Sequence, residues 1–328
     1  MHSEIGGYFE LELPQYGNIK FLHSEGALLN SGKHALEYIL SNIKCIKKIW
    51  ISYYTCDTVL IPINKLGIEY GFYRLRDTLE IDTDSFVIGD GEYILYHNYF
   101  GIKDKYIQSL HKKYGDALII DYAQSYCSPY ISGTKAFFSA RKSFGVPDGG
   151  VAFPNIGDDL YEQDYSNDRC SHLLKRYERS ASEGYDDFKK NNILLREMPI
   201  LKMSKLTQRI LNGVNFESVS KIRTKNFNYL NKNLSHLNGI GHLCGSLDAD
   251  SVPAFYPFYS NMNGLRQHLI SKNIFVALYW PNVLAWLNFD TESVEYNMAK
   301  YVIPLPIDQR YGYDEMNYII CNILNYNE

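Results

Sequence analysis

The sequence has no long apolar run, no excess of basic charge and no paired cysteines, and each absence removes a class of protein. No stretch approaches membrane-spanning length, so no membrane partner is expected. The opening residues, MHSEIGGYFELELPQ, carry acids where a signal peptide would have a basic region and an apolar run. Lys and Arg total 33 against 37 Asp and Glu, a net charge of -4. That balance gives no nucleic-acid footprint. The six cysteines (Cys45, Cys56, Cys127, Cys170, Cys244, Cys321) stand singly with no C-x-x-C, which reads as free thiols in a cytoplasmic protein. G-x-G-x-x-G does not occur, which argues against dinucleotide binding. The histidines are scattered, and Cys170-Ser-His172 lacks a second ligand pair, so no metal is expected.

What is present is a chain of 328 residues, 45% hydrophobic and 21% charged, enough for a substantial core. Tyrosine is frequent but spread out, and reads as compositional bias. From about residue 30 to 155, short apolar runs alternate with amphipathic stretches, as parallel α/β architecture requires. SGKHALEYILSNI predicts a helix with Ala35, Leu36, Ile39, Leu40 and Ile43 on one face and Ser31 as its cap. KIWISYY, IEYGFYRL, YILYHNYFG and ALIID read as strands, and KAFFSARKSFG and GGVAFPN as two more extended segments. TCDTVLIPINKLG has helical spacing, with Pro62 expected to kink it or shift its start. Polar, charged helices follow, clearest in DRCSHLLKRYERSASEGY and ESVSKIRTKNFNYLNKNLSHL. The chain closes with VPAFYPFYS and NIFVALYW as strands and GLRQHLISK and DEMNYIICNIL as helices. The expected division is a large α/β domain over 1–210 and a smaller α+β domain over 211–328.

Four elements carry candidate chemistry. Ser31-Gly32-Lys33 opens a helix, where free backbone N–H groups and the dipole favour a phosphate, although simple capping explains it as well. Asp121 ends the run ALIID, facing the crevice where open α/β sheets bind ligands, or serving as an ordinary strand-end cap. Lys142, in Ser139-Ala-Arg-Lys142, lies among small and apolar residues in a turn-rich loop, a setting for a Schiff-base lysine or for a solvated one. The strand exit Tyr53-Tyr54-Thr55-Cys56 offers a ring to lie on a planar ligand, or core packing. Pyridoxal phosphate needs a lysine, an acid, a phosphate cradle and a face to lie against.

In these residues the chain resembles the fold-type-I pyridoxal-phosphate enzymes, and more narrowly the DegT/DnrJ/EryC1/StrS sugar aminotransferases. The resemblance spans roughly residues 27 to 155, through SGKHAL, YYTCDTVLIPINKLGIEYGFYRLRDTLEID, YFGIKDKYIQSLHKKYGDALIIDYAQS and FFSARKSFGVPDGG. The last two are the specific ones, placing Asp-x-Ala-Gln after a strand and a lysine seven residues before a Gly-Gly pair. The resemblance implies a mostly parallel central sheet flanked by helices, with pyridoxal 5'-phosphate held as an internal aldimine on Lys142. Lys142 would then shuttle the substrate proton, Asp121 pair with the pyridinium nitrogen, and Gln124 bond the phenolic oxygen. Gly32 and Lys33, with Ser31 before them, would bind the phosphate together with the Ser139 hydroxyl. It further implies a homodimer with the active site at its interface, glutamate or glutamine as amino donor, and a nucleotide-linked keto sugar as acceptor, for surface polysaccharide synthesis.

Three positions depart from the family pattern. Cys56 stands where an aromatic commonly stacks on the ring, leaving Tyr54, Tyr53 or another residue for that face. Phe137 stands where the phosphate-binding serine usually lies, with Ser139 nearer the lysine. Ile200 replaces an asparagine usually given to the neighbouring subunit. Two other outcomes of the scaffold are an eliminating or dehydrating sugar enzyme, against which the retained Lys142 argues, and a non-catalytic binding protein.

Overall fold

A computed structural model describes residues 11–14, 20–245, 247–248 and 251–326. Most of the opening segment that reads as lacking a signal lies outside the described residues. The elements run β1 (Ala27–Leu29), α1 (Gly32–Ser41), β2 (Lys48–Ser52), α2 (Leu60–Lys65), β3 (Glu69–Tyr73), β4 (Glu92–His97), α3 (Asp104–Tyr114), β5 (Leu118–Tyr122), β6 (Lys135–Ser139) and β7 (Gly150–Phe153). They continue α4 (Ser171–Glu178), α5 (Ala181–Glu197), α6 (Lys205–Asn212), α7 (Phe216–Leu234), β8 (Phe255–Tyr259), α8 (Leu265–Ser271), α9 (Pro281–Trp286), α10 (Val294–Tyr301), β9 (Val302–Pro306) and α11 (Tyr313–Leu324).

The first seven strands form one sheet in the order β1-β7-β6-β5-β4-β2-β3. Its central pairs are parallel, and β7 runs antiparallel between β6 and β1. Alternation along each strand sorts the side chains into two layers. Leu95, Ile119, Phe137 and Ala152 pack with Leu36, Ile39 and Leu40 of α1 on one face. Tyr96, Ile120, Phe138 and Val151 join the opposite core. β5 is buried throughout, as expected for an interior strand whose sequence is nearly continuous in apolar residues.

The start of α1 sits directly on this sheet. Ser31 Oγ accepts from the His34 N–H at 3.2 Å, the cap expected from the sequence. A side chain on Gly150 would place its Cβ 2.1 Å from the Ser31 carbonyl oxygen, so only glycine lets β7 pass here. Ile43 lies beyond the end of α1 but still packs against its core. Pro62 falls in the first turn of α2, after a short 3-10 turn, where its missing N–H breaks no helical bond.

Two expectations are corrected. The charged segment from residue 168 is not one helix: it breaks at Arg179, and Ser180 caps α5 by accepting from the Glu183 N–H at 3.2 Å. The two halves fold back on one another, with Gly184 against the His172 carbonyl. NIFVALYW forms no strand; Ile274 and Val276 anchor it in a core as irregular chain. β8 pairs with β9, and Pro257 lies opposite Pro304 in their antiparallel pair, a position where neither strand needs to donate. Several of the tyrosines belong to the core. Tyr73, Tyr96 and Tyr99 are fully buried, and their hydroxyls donate to the carbonyls of Leu95, Leu79 and Tyr54.

The β8–β9 ribbon packs with α7, α8 and α11 around a separate core that includes Leu230, Phe258, Leu305 and Met316. Among the described residues no helix is long and apolar enough to cross a membrane.

Candidate active site

Parallel strands bring their carboxyl ends to one edge, and the polar residues that end β4 and β5 meet there. His97 and Asp121 are register partners, and their side chains pair at 2.7 Å between Nδ1 and Oδ2. The other His97 nitrogen meets Thr55 Oγ1, and Asp121 Oδ1 accepts from the Ala123 N–H at 2.7 Å. Asp121 is only 6% exposed. Burial pushes its carboxyl upward, but the His97 charge and hydrogen bond, the Lys142 charge and the Ala123 N–H together outweigh burial and hold it below the usual carboxylate value. It is therefore an anion kept in a dry place.

A cleft opens beside this pair, lined by Asp121, Ala123, Gln124, Lys142, Cys56 and Trp280, with His97 and Asn98 behind. Lys142 stands on the short 3-10 turn after β6 and is exposed. Gln124 is 6% exposed; its Oε1 accepts from the Phe100 N–H at 3.4 Å, but its buried Nε2 has no partner. An unpaired buried donor on a cleft wall is costly unless something from the cleft receives it. Asn98 is otherwise occupied: it donates to Asp104 and Ser128 and accepts from the Lys103 N–H, fixing the turn after β4.

The loop carrying Lys142 is closed at its base. Ser139 pairs with Gly150 across β6 and β7, the Ala140 N–H donates to the Gly149 carbonyl, and the Gly149 N–H donates to the Asn30 carbonyl. Asp148 accepts from the Ser204 N–H and hydroxyl at 2.8 Å and from the Thr207 hydroxyl, tying the loop to the start of α6. Burial raises the Asp148 carboxyl despite these donors.

The predicted residues fall into three groups. Asp121, Gln124, Lys142 and Cys56 share the cleft. Gly32 and Ser139 meet at the start of α1, where a Cβ on Gly32 would lie 3.1 Å from Ser139 Cβ. Ser31 spends its side chain on the cap, and Lys33 Nζ donates to the Arg196 carbonyl at 2.7 Å, leaving their backbone as what they offer an anion. Tyr54 is off the cleft wall, fully buried and packed edge-on against Trp280; Tyr53 stacks on Phe72. Burial drives the Tyr54 hydroxyl far above its ordinary value.

Sequence reasoning missed His97, Asn98, Ala123 as a wall residue, and Trp280. The signal for His97 was a polar residue ending an apolar run, as Asp121 ends the next one. Trp280 lay in a segment read as a strand.

No family model matches the chain, and no curated protein does. Solved structures do. The sugar aminotransferase CalS13 of Micromonospora echinospora superposes with a TM-score of 0.62 at 15% identity, covering 92% of this chain and 88% of that one. The chain has the sugar-aminotransferase fold. A DegT DnrJ EryC1 StrS aminotransferase from Brucella abortus gives 0.60 at 15%, over 91% and 84% of the two chains. A Streptococcus pneumoniae protein in its PLP-form gives 0.61 at 17%, over 91% and 86%. On this shared fold the cleft lies at the carboxyl edge of the parallel strands, where open α/β sheets take ligands.

Proposed function

We propose that the protein is a pyridoxal-phosphate-dependent aminotransferase that moves an amino group from glutamate or glutamine to a nucleotide-linked keto sugar. The observation that carries this reading is an ionised, buried Asp121 on the same cleft wall as Lys142. Two further features fit the cofactor: the unpaired Gln124 Nε2, and the close-packed start of α1 against Ser139. The Streptococcus pneumoniae relative in its PLP-form supports it as well.

Bound here, pyridoxal phosphate supplies an aldehyde for an amine and a ring that withdraws electrons. The chain's own residues do the rest. Lys142 Nζ is the amine for the aldehyde and the group that carries a proton at the reacting carbon. Asp121, oriented and kept charged by His97, holds a proton on the ring nitrogen, while Thr55 fixes the far side of His97. Gln124 Nε2 donates to the ring oxygen. The backbone at Ser31, Gly32 and Lys33 and the Ser139 hydroxyl hold the phosphate.

The reading extends to a large cofactor domain ending near 210 and a smaller one after it, in a cytoplasmic homodimer serving surface polysaccharide synthesis. Exposed apolar side chains on α4 and α5, among them Leu174, Tyr177, Ile193 and Leu194, support a second copy as the covering surface. Light scattering giving a monomer mass would remove the dimer.

The deciding experiment adds pyridoxal phosphate, reduces with borohydride and maps the adduct by mass spectrometry, before and after glutamate or glutamine. A Lys142-linked adduct that the donor diminishes is expected. Equal labelling of Lys142→Ala and wild type would sink the assignment.

A further inference from the structure

Cys56 leaves the cleft without a ring at the strand exit, yet a ring stands on the cleft wall. Trp280 lines it together with Cys56, Asp121, Ala123 and Lys142. It arrives from outside the large sheet, on the chain between α8 and α9, and several contacts fix it there. It is 5% exposed. Tyr54 meets its ring edge-on at 4.6 Å between centroids, and the His97 ring lies 5.6 Å away.

The backbone of Trp280 is left-handed, φ 57° and ψ 59°. A bulky side chain adopts that conformation only where its surroundings impose it. The imposing contact is close by: Asn282 Nδ2 donates to the Thr55 carbonyl at 2.9 Å, pinning this turn to the residue before Cys56. A small thiol at position 56 and an indole delivered beside it thus form one arrangement. His97, the other ring on the wall, has both nitrogens engaged by Asp121 and Thr55.

We propose that Trp280 supplies the ring face for the pyridine ring of the cofactor, replacing an aromatic at position 56. This rests on the reading of the cleft as a pyridoxal-phosphate site. Stacking on an indole adds a quadrupole attraction that an aliphatic side chain lacks.

The test titrates the full chain with pyridoxal phosphate and measures both the dissociation constant and tryptophan emission for wild type, Trp280→Phe and Trp280→Leu. Trp280→Leu should bind about three- to tenfold more weakly, and Trp280→Phe close to wild type. Cofactor should quench wild-type emission strongly, and much less in Trp280→Phe, where Trp50 and Trp286 remain as emitters. Wild-type affinity in the Leu variant, equal weakening in both variants, or undiminished quenching in the Phe variant would each overturn the proposal. If the Leu variant does not fold, quenching in the Phe variant decides alone. Absence of a borohydride-trapped adduct on Lys142 of wild type would defeat the underlying reading and this inference with it, whereas an adduct with unchanged quenching defeats only the inference.

Discussion

The seven-stranded sheet and the β8–β9 ribbon are built from similar apolar residues, yet only the first gathers chemistry along one edge. Its parallel strands all end on the same side, so His97, Asp121 and the turn after Ser139 converge although they lie far apart in sequence. The ribbon is antiparallel, its ends point opposite ways, and what its unit adds to the cleft comes from a loop, through Trp280. Strand direction, more than composition, decides which half of this molecule can assemble a site.

The comparison breaks first at Asp121. If the parallel edge works as described, Asp121→Asn should keep the fold and lower single-turnover amino transfer by roughly 10²- to 10⁴-fold, the range for removing a proton-holding group. Rates within a few-fold of wild type would mean that the edge merely packs. The separateness of the two units is tested next. Leu230→Ala, in the ribbon's core, should cost about 2–5 kcal/mol in denaturant unfolding while cofactor affinity stays put. A matching loss of affinity would show the cores to be one.

The smallest effect concerns acid. Burial lowers His23 from 6.5 to about 4, despite its bond to the Tyr126 carbonyl, and it stacks on Phe138 of the large sheet. A depressed folded value means that its contribution is complete above pH 6.5 and is lost as pH falls toward about 4, on the order of 3 kcal/mol in all. His34, lowered by burial to about 3, acts in the same direction. Asp121 does so at lower pH, since its folded value lies below the unfolded one. His23→Gln should therefore reduce, without abolishing, the fall in melting temperature between pH 7 and 4. An unchanged slope would place the acid sensitivity elsewhere.

Much of the large sheet was legible because each strand is a short apolar run closed by a polar residue or a turn. Asp121, Gln124 and Lys142 were legible because they sit in compact motifs. His97 was not, since its role depends on β4 lying beside β5 in one register, which no local pattern states. β9 was hidden by Pro304 and Pro306, residues that argue against a strand until its partner proves to need no donor there. The aromatic run ending at Trp280 has strand-like composition, but Asn282, reaching back more than two hundred residues to Thr55, bends it into a turn.

The closed base of the lysine loop has one more consequence. Its two ends are fastened at Ser139–Gly150, and through Gly149 to Asn30, two residues before the start of α1 that would hold an anion. Lys142 and the start of α1 are thus mounted on one hydrogen-bonded bracket, which would fix the spacing of the proposed nucleophile and anion site. On the proposed reading the bracket is a gauge: it would sort ligands by the reach from phosphate to aldehyde before any side chain reads what they carry.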